Sequence, residues 1–170
     1  GTTVDRQCGS AQQAVHFAAQ AVMAGVNDLV VAGGVQQMSQ IPISSAMTLA
    51  TDLGFPDPFT TSPGGVARYG PDEVSQFTGA EAIAEKWDLS RDDMEAFAVQ
   101  SHERALQAQA AGRFEAEIAP FNGLDRDEGP REPNWEKIRS LKTLVEGGRI
   151  TAAVASQISD ASASLLIASE

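Results

Sequence analysis

The chain has 170 residues, 42% of them hydrophobic and 21% charged, which is typical of a soluble globular protein of one domain with or without an insertion. Its formal net charge of −11 argues against a nucleic-acid interface, and its single cysteine excludes an internal disulfide and a cysteine-rich zinc site. No apolar run approaches the roughly 20 residues that span a bilayer, and no signal-peptide pattern follows Gly1. We therefore expect a cytoplasmic protein with no membrane span and no metal site.

Residues 1–35 are rich in Ala, Val and Gly and carry almost no charge. Their pattern predicts a strand at 2–4, a helix from Gly9 to Gly25 and a central strand at 29–32. The helix is apolar on nearly every face, so we expect it to be buried, and Gly25 should end it as a C′ residue. This strand–helix–strand order indicates an α/β fold.

Residues 36–148 contain all 8 prolines and most of the charge. The pattern predicts loops at 39–72 and 122–140 and two helices, at 73–87 and 91–111. Ser90 and Asp93 resemble a capping box at the start of the second helix, and Gly112 is placed to end it. The two helices are joined by a short connection, so we expect them to pack as a hairpin.

Residues 149–170 return to the small, apolar character of the first segment, and 165–167 are expected to form a strand. The sequence therefore predicts three segments. Two pieces of an α/β core, 1–35 and 149–170, flank an inserted and mostly helical domain at 36–148.

Cys8 is the first residue that could perform covalent chemistry. It lies where the predicted strand meets the predicted helix, and a thiol at a helix N-terminus is favoured as the thiolate. Gly9 would allow a tight turn and the close approach of a substrate. The alternative is a small buried side chain, because free cysteines are often buried.

Neither histidine is well placed to activate this thiol. His16 lies eight residues further along the predicted helix, a rise of roughly 12 Å, and we interpret it as a packing or hydrogen-bonding residue. His102 lies on the second helix of the insertion and is interpreted as a surface residue. Asp5 and Arg6 flank the cysteine but precede the helix.

Four segments resemble the thiolase family in the order in which that family has them. The first, Val4 to Ser10 followed by Gln13-Ala14-Val15, is similar to the segment around the acyl-accepting cysteine. The second is DLVVAGGVQQMS at 28–39, and the third is the helical part of the loop domain at 81–114. The fourth, GRITAAVASQISD at 148–160, resembles the Thr-Ala-Gly-Asn-x-Ser segment.

This resemblance implies an αβαβα layered fold, of which the chain would hold part of the N-terminal half with the loop domain that covers coenzyme A. It implies that Cys8 accepts the acyl group as a thioester. A histidine and a second cysteine would come from a C-terminal half, so the 170-residue chain is expected to be inactive alone. It also implies coenzyme A as a co-substrate without a permanently bound cofactor, and a homodimer or homotetramer.

The resemblance further implies contacts to coenzyme A from Ala152, Ser156 and, less securely aligned, Arg131. Ser156 could instead be a turn hydroxyl, and Arg131 a solvated loop charge. Two departures stand out. Ala153-Val154 replace the usual Gly-Asn near the CoA arm, and Ser75-Gln76 replace the His-Met of biosynthetic members, which favours an acyl group other than acetoacetyl.

The predicted function is thiolytic cleavage of a 3-ketoacyl-CoA, or the reverse condensation. One alternative is a non-catalytic protein of the same fold that binds acyl-CoA or lipid. A second is a related condensing enzyme such as a ketoacyl synthase, and the Cys8-Gly9-Ser10 segment, the loop domain and GRITAA argue against it. The histidine and second cysteine of a C-terminal half would distinguish an enzyme from a binding protein.

Overall fold

The computed structural model describes residues 1–71 and 75–170, except for the side chains of residues 46, 47, 58 and 59. The described chain is a mixed α/β structure with two compact units. Unit 1 consists of Gly1–Phe55 and Ile158–Glu170, and unit 2 is Pro56–Gln157. The three segments predicted from composition remain a prediction. No helix among the described residues is long and apolar enough to cross a membrane.

Unit 1 contains helix α1 (Ser10–Met23), helix α2 (Ser45–Asp52) and strands β1 (Leu29–Gln37) and β2 (Asp160–Ala168). The predicted first helix and the strand at 165–167 are confirmed. Gly25 adopts a φ of +66°, and its N–H donates to the carbonyl oxygen of Val22 while that of Val26 donates to Ala21. These two bonds form a Schellman motif, so the helix ends as its glycine predicts. Residues 1–6 form no strand, because no neighbouring strand pairs with them.

Strands β1 and β2 form a two-stranded antiparallel sheet in which Val31 pairs with Leu166. Helix α1 contacts both strands, and Ala18 and Ala32 are buried. Val31 and Leu166 share one face of the sheet and are 69% and 65% exposed. The prediction of a central covered strand is therefore wrong for this chain, because among the residues that the structure describes only α1 packs against this sheet. The helix is likewise buried on one side only.

The described part of unit 2 contains helices α3 (Pro58–Thr61), α4 (Pro63–Tyr69), α5 (Gln76–Lys86), α6 (Arg91–Ala110) and α7 (Trp135–Arg139), joined by turns and loops. The predicted loop at 39–72 is wrong, because α2, α3 and α4 occupy much of it. The sequence contains a signal for the start of α4. The Ser62 hydroxyl oxygen accepts the N–H of Gly65, and a proline follows at the first helical position. Helix α7 lies inside the predicted loop at 122–140 and is similarly capped by Asn134, whose side chain accepts the N–H of Lys137.

The two longer helices of the insertion are confirmed, with α5 beginning at Gln76; the expected start at Glu73 lies outside the described residues. The capping box of Ser90 and Asp93 is present, and Gly112 has a φ of +68° after the last turn of α6. The predicted hairpin is wrong, because α5 and α6 do not pack along their lengths. Both helices instead hydrogen-bond to the segment 138–150.

Arginine side chains make most of these bonds. The Arg91 guanidinium donates Nη2 to the carbonyl oxygens at 138, 139 and 141, at the end of α7, and Nε to Glu95 at 2.7 Å. Arg149 donates Nη1 to the carbonyl oxygens of Ala84 and Leu89. Glu95 is 1% exposed and the Arg91 side chain is 31% exposed, so a partly exposed guanidinium pairs with a buried carboxylate.

Candidate functional site

Cys8 lies in a single 3₁₀ turn, Gln7–Gly9, that leads directly into α1. Gln7 has a φ of +46°, in the left-handed region that a residue with a side chain seldom adopts. The Asp5 carboxylate accepts the N–H of Gln7 at 3.1 Å, and the N–H of Gly9 donates to the carbonyl oxygen of Arg6 at 3.0 Å. The turn is therefore sharp and held by its own neighbours, as a strained nucleophile turn requires.

Ser10 braces the same turn from its other side. Its hydroxyl oxygen accepts the N–H of Arg6 at 2.7 Å, and its hydroxyl donates to the carbonyl oxygen of Gln7 at 2.8 Å. The Arg6 guanidinium bonds to the side chain of Gln13 on α1. Arg6 and Asp5 are thus engaged in holding the turn.

The Cys8 side chain itself is free and exposed. In this chain, Cys8 therefore does not occupy the buried position that the structural alternative predicts. His16 is exposed on α1, two helical turns beyond the thiol, in agreement with its expected separation. The turn therefore presents a thiol to solvent without a histidine beside it on the same helix.

Unit 2 contains a cavity of about 640 Å³ between α6 and the stretch 150–157. Most of its lining is apolar, with a few polar groups: Asp93, Ser101, His102, Ser156 and Gln157. Such a mixture is typical of small-molecule sites, in which apolar walls give affinity and a few polar groups set orientation. The hydroxyl and the backbone N–H of Ser90 both donate to the Asp93 carboxylate and lower its pKa, so this wall residue is ionised at neutral pH.

The second wall of the cavity is shaped by a buried threonine. Thr151 is fully buried and pairs with Thr143 in an isolated bridge. Its hydroxyl oxygen accepts the N–H of Ala153 at 3.3 Å, and its carbonyl oxygen accepts that of Val154 at 3.1 Å. The chain turns here and continues along the cavity through Ser156.

The three residues expected to contact coenzyme A all lie in unit 2. Ser156 lines the cavity, and Ala152 is exposed and lies between the lining residues Ile150 and Ala153. Arg131 is exposed, and its backbone N–H donates to Nδ1 of His102 at 3.4 Å. Cys8 belongs to unit 1.

His102 is the functional candidate that sequence reasoning missed. It was expected to be a surface residue, but it is only partly exposed and lines the cavity. The helical pattern of α6 offered one signal, because His102 follows Met94 and Ala98 at helical spacing and all three line the cavity. Its link to Arg131, 29 residues away, has no signal in the sequence.

The whole chain, residues 1–170, matches the family model of the thiolase N-terminal domain. It is 57% identical over 177 residues to the steroid 3-ketoacyl-CoA thiolase FadA6 of Mycobacterium tuberculosis, covering 100% of this chain and 43% of that protein. It is 35% identical over 188 residues to a 3-oxoadipyl-CoA/3-oxo-5,6-dehydrosuberyl-CoA thiolase of Escherichia coli, covering 100% and 46%. A solved acetyl-CoA acetyltransferase from Syntrophomonas wolfei aligns with a TM-score of 0.66 and 29% identity over 98% of this chain and 45% of that one.

The mixed α/β fold is therefore that of a thiolase N-terminal domain, and the chain belongs to the thiolase family. This confirms the family and the fold class predicted from the four sequence segments. Thiolases use CoA thioesters as substrates. The chain spans less than half the length of the curated relatives described above.

Proposed function

We propose that a protein containing this chain is a thiolase that cleaves a 3-ketoacyl-CoA, or forms one in the reverse condensation, through an acyl group carried on Cys8. The observation that carries the proposal is the exposed Cys8 thiol on its braced 3₁₀ turn, in a chain of this family. A nucleophile of this kind must be accessible, and its direction must be fixed. The bonds of Asp5 and Ser10 to the turn support a fixed direction.

The proposed cleavage has two steps. The Cys8 thiolate attacks the 3-keto carbon; the bond between C2 and C3 breaks, and its electron pair stays on C2, which takes a proton to release acetyl-CoA. A CoA thiolate then attacks the acyl-cysteine thioester and returns the Cys8 thiolate. The chemistry therefore needs an acid for C2 and a base for the incoming thiol, each worth about 10²–10⁴-fold in rate.

The cavity of unit 2 supports binding of the CoA arm. Its walls suit a chain of methylenes and amides, because most of the lining is apolar and the Ser156 hydroxyl supplies a hydrogen-bonding group. We assign Ser156 and Ala152 to the pantetheine arm and the exposed Arg131 to the phosphates, which favour charge-assisted contacts with guanidinium.

The substrate class follows from two further observations. The relative at 57% identity is named a steroid 3-ketoacyl-CoA thiolase. In this chain Ser75 caps α5 by accepting the N–H of Phe77. Ser75 and Gln76 stand where the family resemblance places the His-Met pair of biosynthetic members. We therefore propose a degradative enzyme that prefers a 3-ketoacyl-CoA with a larger acyl group than acetoacetyl-CoA.

We also propose that the enzyme is cytoplasmic and assembles as a homodimer or homotetramer, with coenzyme A as co-substrate and no permanently bound cofactor. Its single cysteine supports a reducing compartment. The 170-residue chain alone should show no turnover. His16 stands two turns from the thiol and His102 holds a backbone N–H, so neither is placed to supply the acid and base.

The direct test is to incubate a protein of full thiolase length that contains this chain with a 3-ketoacyl-CoA and map the adduct by mass spectrometry. The acyl group should be found on Cys8, and Cys8→Ser should abolish turnover. A matched control places a thiol one turn away, as Ala11→Cys in the Cys8→Ser background, because Ala11 is also exposed. Acylation of another residue, or full activity of Cys8→Ser, would refute the proposal.

A further inference from the structure

The cavity of unit 2 has a loop at its edge, residues 125–131, which we call the rim loop. Three side chains hold it. Gln109 donates Nε2 to the carbonyl oxygen of Asp127 at 2.8 Å, Gln157 donates Nε2 to that of Gly129 at 3.2 Å, and His102 accepts the N–H of Arg131 at 3.4 Å. The loop is therefore fixed at three successive points.

Two of these three anchors come from opposite walls of the cavity. His102 lines it from α6, and Gln157 lines it from the stretch 150–157. The rim loop thus joins the two walls by bonding to both. Arg131, the exposed cation at the end of the loop, is tied to a residue that itself faces the cavity.

The loop also turns tightly at Gly129. The N–H of Gly129 donates to the Asp127 carboxylate at 2.8 Å. A Cβ on Gly129 would lie 3.1 Å from that carboxylate and 3.7 Å from the amide group of Gln157. Glycine therefore lets the backbone turn tightly against the Asp127 carboxylate, which accepts its N–H, whereas the Gln157 amide lies at an ordinary contact distance.

We propose that His102 and Gln157 are positioning residues that hold Arg131 at the cavity rim, where its guanidinium binds the phosphates of the CoA substrate. This inference rests on the proposed function, because it takes the cavity to be the CoA site. A cation held in place before binding loses less conformational freedom when the anion arrives, so affinity improves without a new contact. Neither side chain needs to touch the phosphates.

The His102 bond sets a chemical requirement that can be tested. Nδ1 accepts a hydrogen bond, so in the neutral ring the proton is on Nε2. An asparagine side chain places its carbonyl oxygen near the position of Nδ1 and can accept the same N–H. His102→Asn should therefore preserve the anchor, whereas His102→Ala and Gln157→Met should each remove one.

The experiment measures binding of two probes to the wild-type chain and its variants: CoA, and pantetheine, which has no phosphate. We expect His102→Ala and Gln157→Met to weaken CoA binding by about three- to tenfold, the cost of ordering one or two side chains. Pantetheine binding should be much less affected, because pantetheine has no phosphate for Arg131 to bind. His102→Asn should bind CoA like the wild type, as should the control Gln107→Met, an exposed glutamine on the same helix.

A double-variant series tests whether the anchors act through Arg131. In an Arg131→Ala background, His102→Ala and Gln157→Met should cause no further loss of CoA affinity. An equal loss in that background, or an equal loss for pantetheine, would overturn the positioning role, because it would show a direct contact or a general distortion of the cavity.

Amide hydrogen exchange separates this inference from the proposed function. The Arg131 amide should exchange faster in His102→Ala than in the wild type, with no CoA present. Unchanged exchange would overturn the positioning role. If the wild-type chain binds neither CoA nor pantetheine while exchange behaves as expected, the CoA site of the proposed function is refuted and the anchored loop is confirmed.

Discussion

Glu81 of α5 fixes the backbone that leads into the second cavity wall. Its Oε1 accepts the N–H groups of Arg149 and Ile150 at 2.6 and 2.5 Å, and Ile150 is buried. Glu81→Ala leaves both donors without this acceptor. A hydrogen bond to a charged group contributes about 1.5–3 kcal/mol, and because Glu81 is only partly buried we expect a loss near the lower end, about 3 kcal/mol for the pair.

Gly148→Ala should disturb the same two bonds without touching Glu81. A Cβ on Gly148 would overlap the Glu81 carboxylate and lie 3.0 Å from the carbonyl oxygen of Val145. The carboxylate must move away, so we expect a loss of about 2 kcal/mol. In the Glu81→Ala background only the Val145 contact remains, so the double variant should be less destabilised than the sum by about 1 kcal/mol or more.

The measurement is urea unfolding followed by far-UV circular dichroism, with the denaturation midpoints compared at a constant m-value. Gly79→Ala is the matched control, because a Cβ there meets open space on the same helix. It should stabilise the protein by about 0.5–1 kcal/mol and add independently to the other variants. A loss below about 0.5 kcal/mol for Glu81→Ala, or full additivity with Gly148→Ala, would refute the account of this wall.

Two further predictions concern single interactions. Hydrogen bonds donated by the hydroxyl and the N–H of Ser39 lower the pKa of Asp160. The ionised carboxylate therefore stabilises unit 1 at pH values above its ordinary pKa of about 4, and this stabilisation is lost as the pH falls through the lowered pKa. The Asp160→Asn variant should therefore lose less stability than the wild type as the pH is lowered from 5, and thermal unfolding at each pH measures this loss. An equal loss of stability in the two proteins would contradict the expectation. Arg91→Ala leaves the buried Glu95 unpaired and should cost about 3 kcal/mol, and Arg91→Ala with Glu95→Leu should recover at least half of it in urea unfolding. If the double variant recovers no stability, the loss arises from the contacts of Arg91 with the backbone carbonyl oxygens and not from the unpaired Glu95.

The ends of the long helices could be predicted from the sequence because they depend on a few adjacent residues. Gly25 and Gly112 both adopt the left-handed conformation that ends a helix, and Ser90 with Asp93 forms the expected capping box. Ser62 before a proline was an equally local signal for α4, but the density of prolines around it favoured a loop. These features need no information about distant parts of the chain.

Packing could not be predicted in the same way. An apolar run such as 29–32 shows that a strand can be covered, but whether it is covered depends on which elements are present to cover it. Here α1 covers one face, and Val31 remains exposed on the other. The connection at 88–90 suggested a hairpin, yet Arg91 and Arg149 bind the segment 138–150 to the two helices instead. Such bonds join residues about 50 to 65 apart in sequence.

The residues of the candidate site also differ in whether the sequence can predict them. Cys8 could be found from its neighbours because the turn that presents it is built by residues within a few positions of it. His102 and Gln157 bond to backbone groups 29 and 28 residues away. Such a bond requires only a side chain that carries an acceptor or a donor and is long enough to reach the backbone group. Many residue types meet that requirement, so it leaves no short motif. A sequence pattern can therefore mark the residue that we propose to react, whereas the residues that we propose to hold Arg131 in place become visible only when the chain is folded.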